Sequence, residues 1–202
     1  DTALMLDAMA GTDYRDPLSR PKPVVPYLDD VMTVLGDGSV PRRIGYSPDL
    51  GVGPVDAEVD AICRAATERF AELGTEVTSA DLDLSDGPEA FHTFRGIGFA
   101  AGHEDHLELP PGQLKPENIW NIKKGLKLKS DDVLRAHRAR GALYQRVATF
   151  FADHDLLAVP STIVPAIPTE MRYLKELNGH RFGNYVDLII LTSVITLTAC
   201  PA

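Results

Sequence analysis

Between Arg42 and Leu82 the spacing of apolar positions changes period twice. "RRIGYS" (residues 42–47) is a short strand-like run, closed by the turn "PDLGVG". Val55, Val59, Ile62, Cys63, Ala66, Phe70 and Leu73 then recur at intervals of three and four, the period of one helical face. Pro54 suits a first helical position, and Asp56 and Glu58 put negative charge in the opening turn, where the helix dipole favours it. Gly74 ends the helical run and "TEVTSADL" (75–82) resumes a strand. Strand, amphipathic helix, strand predicts a right-handed βαβ unit, with Arg42–Ser47 and Glu76–Asp81 as parallel neighbours.

The flanks are less regular. Leu4 and Ala8, and Met5 and Met9, form i,i+4 pairs that predict a helix ending near Gly11. No cap or polar lead-in precedes it, so the chain reads as beginning inside a longer protein. Four prolines between Asp16 and Tyr27 forbid a continuous helix there and predict a connector. Helices are predicted over 89–101 and 116–128, the second interrupted by Gly125. A longer one follows, capped by Ser130, with Asp131 and Asp132 in its first turn. Val133, Leu134, His137, Tyr144, Val147, Ala148 and Phe151 mark its expected buried stripe. "DLLAVPS" (155–161) has the continuous apolar form of a buried parallel strand and is expected in the same sheet. Residues 188–202, "LIILTSVITLTACPA", are apolar on every face if helical, yet too short for the ~20 residues of a membrane span. The fold class is α/β, with a mostly parallel or mixed sheet and packed helices. The chain divides into a helix and connector (1–41), the βαβ unit (42–82), a helical region (83–154), and a late strand, loop and apolar helix (155–202).

The formal charge of −9 argues against a nucleic-acid surface, which needs a basic face. Cys63 and Cys200 lie far apart in apolar surroundings and read as buried free thiols. His103 and His106 do not have the spacing of a zinc-protease helix, and "GHEDH" reads as an exposed acidic loop. "RGIGFAAG" (95–102) lacks the strand and glycine interval of a phosphate loop, and its small residues fit tight helix packing. Eight serines are present, none in a Gly-x-Ser-x-Gly elbow or a Gly-Ser-Ser-Gly loop. Ser47 and Ser161 follow strands, where open α/β sheets place their sites, but each serves equally well as a turn cap. The residues alone show no catalytic constellation.

Four segments taken in order resemble the amidase signature family, which includes bacterial amidases, aryl acylamidases and the amidotransferases of tRNA-dependent glutamine formation. They are "DTALMLDAMAGTDYRDPLS", "RRIGYSPDLG", "DLLAVPSTIVPAIP" and "FGNYVDLIILTSVITLTACPA". The resemblance is weakest over 104–129. Thr196 and Ala199 depart from it, standing where asparagine and glycine are common.

The resemblance implies part of the amidase signature fold, from the middle of the family's chain. It implies carboxamide hydrolysis in the parent enzyme: a lysine takes a proton through a bridging serine, a second serine attacks the carbonyl, and water releases the acyl-enzyme. That serine pair and lysine precede the matched region, so the chain is expected to be an inactive internal fragment with no catalytic residue of its own. The substrate implied is a small-molecule amide. No cofactor, metal, nucleic acid or membrane is implied; apart from the resemblance, a cytoplasmic location is expected. The loop after the late strand walls the acyl or amine pocket, which makes Thr162, Ile163, Met171 and Tyr173 the expected substrate-lining residues. Self-association, or pairing with a complementary fragment through 186–202 and an exposed strand edge, is also expected. A self-standing α/β binding or interaction module derived from this fold is the alternative.

Overall fold

The computed structural model describes all 202 residues, in two compact units, Asp1–Pro41 and Arg42–Ala202. In the first unit, α1 (Thr2–Met9) packs on α2 (Tyr27–Asp37), and the proline-rich connector runs between them. The expected connector is present; α2 is an addition to the sequence reading. Its N-terminus is capped from a distance, because the Asp7 carboxylate accepts from the backbone N–H groups of Tyr27 (2.8 Å) and Leu28 (3.0 Å). Ala3 and Asp7 of α1 and its C-cap Ala10 are the less exposed positions, leaving Leu4, Met5, Leu6 and Met9 exposed.

The second unit carries a three-stranded parallel sheet in the order β2-β1-β3. It is built from β1 (Arg43–Tyr46), β2 (Glu76–Ser79) and β3 (Leu156–Ala158). Ile44 pairs with Val77 on one side and Leu156 on the other, as the βαβ reading requires. The crossover helix α3 (Ala57–Glu68) begins later than Pro54, because Asp56 is its cap and accepts the Glu58 N–H at 2.9 Å. It tightens into a 3₁₀ turn over Arg69–Leu73, and Gly74, at φ 94°, closes it in the left-handed conformation that favours glycine. Val59 and Thr67 are its buried positions, whereas Ile62 and Leu73 face out.

Three helices follow: α4 (Gly87–His103), α5 (Pro116–Leu126) and α6 (Ser130–Phe151). Ser130 is the first helical residue rather than the cap; Asp132 takes the Lys129 N–H instead, at 2.8 Å. The buried stripe of α6 is Ala136, Leu143 and Val147, while Leu134 and Tyr144 are exposed. Within "RGIGFAAG", Gly96 and Ala100 serve close packing, since at the α4–α5 crossing a Cβ added to Gly125 would lie 2.0 Å from the Gly96 carbonyl oxygen and 2.8 Å from Ala100 Cβ, whereas Gly98 and Gly102 have nothing within 4 Å. His103 and His106 sit at the exposed end of α4 and in the 3₁₀ turn beyond it.

After β3 the chain makes a short antiparallel hairpin, β4 (Glu176–Leu177) with β5 (His180–Arg181). A 3₁₀ turn (Tyr185–Ile189) then leads into α7 (Ile190–Leu197). This last helix is not apolar on every face. Ile190, Leu191, Val194 and Leu197 join the core, while Thr192 and Thr196 face out and donate to the carbonyls of Ile189 (3.0 Å) and Thr192 (2.8 Å). Back-bonded hydroxyls give the helix a solvent face without breaking it. Leu50, Leu84, Leu143, Ile163 and Val194 form the centre of the core around these elements.

Candidate functional site

In an open parallel sheet the strand C-termini are where loops diverge and leave space. Here β1 ends at Tyr46, β3 at Ala158, and a cavity of about 840 Å³ opens beyond them. Tyr46, Cys63, Ser161, Thr192, Thr196 and Cys200 bring the polar atoms and the thiols to its wall; Leu157, Val159 and Ile195 supply apolar surface. A second cavity of about 380 Å³ shares Leu157, Val159, Ile195 and Cys200 with it and extends toward Val147 and Phe151 on α6.

The Tyr46 hydroxyl donates to Asp60 at 2.7 Å, and the Arg64 guanidinium lies 4.7 Å from the ring centre. Burial, the Asp60 hydrogen bond and the Asp60 charge push the phenol well above its ordinary range, so it stays protonated and cannot act as a base. No histidine, lysine or carboxylate lines the larger cavity, so nothing there can activate the Ser161 hydroxyl as a nucleophile. Ser47 is a turn cap: buried, it accepts the Leu50 N–H at 3.0 Å. Cys63 and Cys200 are free but half-buried rather than buried, because both border this cavity. No group of three histidine, cysteine or carboxylate side chains is placed to hold a metal, and no helix is long and apolar enough to cross a membrane.

The four residues singled out in the sequence fall in different places. Met171 and Tyr173 share a cavity of about 760 Å³ with Pro168 and Leu174, in a loop held to α5 by an Arg172–Glu117 ion pair. Ile163 is 1% exposed and packs in the core, its carbonyl accepting from Asp56 N at 2.8 Å. Thr162 is exposed and donates within its own loop to the Val164 carbonyl at 2.9 Å. The larger cavity draws instead on Tyr46, α3, Ser161, α7 and Cys200. The sequence signal for it is the pair of strand ends at Tyr46–Ser47 and Pro160–Ser161.

No family model matches the chain. Individual proteins do. An acylamidase from Rhodococcus erythropolis is 33% identical over 171 residues, covering 83% of this chain and 35% of the relative. AtzE, a 1-carboxybiuret hydrolase subunit from Pseudomonas sp. (strain ADP), is 31% identical over 205 residues, covering 98% of this chain and 42% of the relative. Among solved structures, a bacterial aryl acylamidase of the amidase signature family superposes with a TM-score of 0.78 at 19% identity, over 97% of this chain and 42% of that one. A chain of an inhibitor-bound vestigial protein complex, one that reveals the evolutionary origins of an s-triazine catabolic enzyme, gives 0.74 at 26% identity, over 98% and 42%.

The chain belongs to the amidase signature family. It spans between about a third and two fifths of the length of these relatives. Against the family resemblance, the departure at Ala199 keeps the backbone shape: its φ is 58°, the left-handed region that glycine occupies without strain. Thr196, in the asparagine position, spends its hydroxyl proton on the Thr192 carbonyl, so this amidase signature chain lacks the side-chain amide donors an asparagine would offer there.

Proposed function

We propose that residues 1–202 form the substrate-side part of a carboxamide hydrolase, with no nucleophile or base of their own. The observation that carries this reading is the cavity at the ends of β1 and β3: it has shape, apolar surface and hydroxyls, but no group able to activate an attacking oxygen. The relatives are named as amidases and hydrolases and are more than twice as long, which supports a serine–lysine apparatus carried elsewhere in the polypeptide. In this reading Met171 and Tyr173 wall the acyl or amine pocket, while Thr162 and Ile163 fix the loop that presents them. The free edge of β3, with Leu156 exposed, receives a complementary segment of an amidase-length polypeptide or a second copy of the chain. The location is cytoplasmic.

The test is a pair of assays on an aryl amide. One uses the purified chain; the other uses a chimera in which residues 1–202 replace the matching third of the Rhodococcus acylamidase. Turnover by the chimera and none by the isolated chain is expected. Steady turnover by the isolated chain that Ser161→Ala abolishes would place the nucleophile inside it. A folded but inert chimera would favour a binding module that has kept the fold without the chemistry.

A further inference from the structure

Away from these cavities, α4, α5 and the 3₁₀ turn before α7 meet at a seam rich in unfilled donors. We propose that Arg95, Lys124 and Tyr185 form there a binding site for a small carboxylate, independent of the amide chemistry above.

Asn121, 1% exposed, organises the seam. Its Nδ2 donates to the Glu117 carbonyl at 2.8 Å and to the Tyr185 hydroxyl at 2.9 Å, and its Oδ1 accepts from Arg95 Nε at 3.2 Å. Arg95 Nη2 donates to the same Tyr185 hydroxyl at 3.0 Å. The phenol oxygen therefore accepts twice, and its own proton is left to find an acceptor the chain does not supply. Arg95 commits two of its five N–H groups, both to neutral partners. Neither Arg95 nor Lys124 has a carboxylate within ion-pair distance.

Lys124 lies one turn beyond Asn121 on α5, its ammonium 5.0 Å from the centre of the Trp120 ring. Burial holds its pKa below the ordinary lysine value, and the Asp187 charge opposes that shift. The nearby carboxylates are already engaged. Glu117 pairs with Arg172, and Asp187 accepts from Gly183 N, Asn184 N, the Asn184 amide and His92 Nε2. Facing a carboxylate, His92 Nε2 is the donor; its buried Nδ1 has no partner, and burial followed by the Lys124 charge lowers the ring's pKa. Arg95, Lys124 and Asp187 together leave one net positive charge, half-buried, in a chain whose formal charge is −9.

Surplus donors and a single uncompensated charge call for a monoanionic acceptor. A carboxylate suits the planar guanidinium fork, which binds it through two parallel N–H···O bonds. Phe99, whose ring centre is 4.8 Å from the Arg95 guanidinium, and Trp120 offer aromatic faces for an apolar body attached to it.

Trp120 is the single tryptophan of the chain, so its fluorescence reports on this seam. Sodium acetate is titrated into the full chain at pH 7.5 against sodium chloride at constant ionic strength, with sodium phosphate as a parallel series. A saturable change with acetate is expected, weakened about tenfold or more in Arg95→Gln, weakened in Tyr185→Phe, and unchanged in Lys127→Gln, which alters an exposed lysine outside the seam. If circular dichroism shows that Arg95→Gln does not fold, Tyr185→Phe, which keeps the ring and drops only the hydroxyl, decides. Absence of a saturable acetate response in the unmodified chain would overturn the proposal. So would an Arg95→Gln or deciding Tyr185→Phe variant that titrates like the unmodified chain, or saturation by phosphate where acetate gives none.

Discussion

Gly125→Ala is expected to be the most damaging single-methyl addition in the helical half of the molecule. The added carbon would sit 2.0 Å from the Gly96 carbonyl oxygen, 2.6 Å from its carbonyl carbon and 2.8 Å from Ala100 Cβ. Two of these three atoms are backbone, so no rotamer change relieves the clash. To reach ordinary contact near 3.5 Å, α4 and α5 must part by roughly 1.5 Å at the crossing. Overpacking of this kind costs about 1–3 kcal/mol, and a backbone neighbour puts the change at the upper end. Helix propensity returns at most about 1 kcal/mol when alanine replaces glycine, leaving a net loss of about 2 kcal/mol. For a chain of this size that is a fall in Tm of about 4–8 °C. Parting the helices would also strain the Arg95–Asn121 hydrogen bond of 3.2 Å, which spans the same two helices, and the bonds of 3.0 and 2.9 Å by which both residues meet at Tyr185. Urea unfolding with a shared m-value measures the difference, with Gly98→Ala as control, since nothing lies within 4 Å of a Cβ there. The control should gain about 0.5–1 kcal/mol. If Gly125→Ala proves as stable as Gly98→Ala, the helices do not cross at these glycines and the packing account fails.

Two further outcomes are expected. The pKa of His92 is lowered from 6.5, first by burial and then by Lys124 of α5, against the opposing pull of Asp187 in the 3₁₀ turn and with a smaller contribution from Arg95 on its own helix. The unfolded chain therefore binds this proton more readily: the stabilisation is complete above about pH 6.5 and is lost as pH falls through the lower folded value. His92→Gln, which keeps a donor toward Asp187, should flatten urea midpoints between pH 7 and 5; an unchanged slope would remove His92 as the cause. Ala199→Gly should raise stability by about 0.5–1 kcal/mol, because it relieves a left-handed backbone at an exposed position, less the added freedom of the unfolded chain. A lower urea midpoint for Ala199→Gly would mean that this backbone is not strained.

How much of the molecule is legible in its sequence depends on whether the deciding contact is local. The βαβ unit is, because the change from strand to helical period and back lies in consecutive residues, and its strands pair as that pattern requires. The second helix of the first unit is not, although Leu28, Val31, Met32 and Leu35 carry its stripe, since its capping carboxylate comes from Asp7, twenty residues away. On α6 the buried positions are Ala136, Leu143 and Val147. Val147 belongs to the expected stripe and is buried, and Phe151 packs against the core. Ala136 and Leu143 are additions, because their burial comes from the packing of α6 against other helices, which apolar spacing alone does not carry. On α7 the threonines read as core, because hydrophobic patterning cannot tell a hydroxyl bonded to its own helix from one that must be buried. The site follows the same logic. Met171 and Tyr173 lie two residues apart and share a cavity, whereas Tyr46, Cys63, Ser161, Thr196 and Cys200 converge only once the sheet has formed. A cavity assembled from four separated segments leaves no period or spacing in the sequence; only the strand ends mark it, through the rule that parallel sheets open at their C-terminal edge.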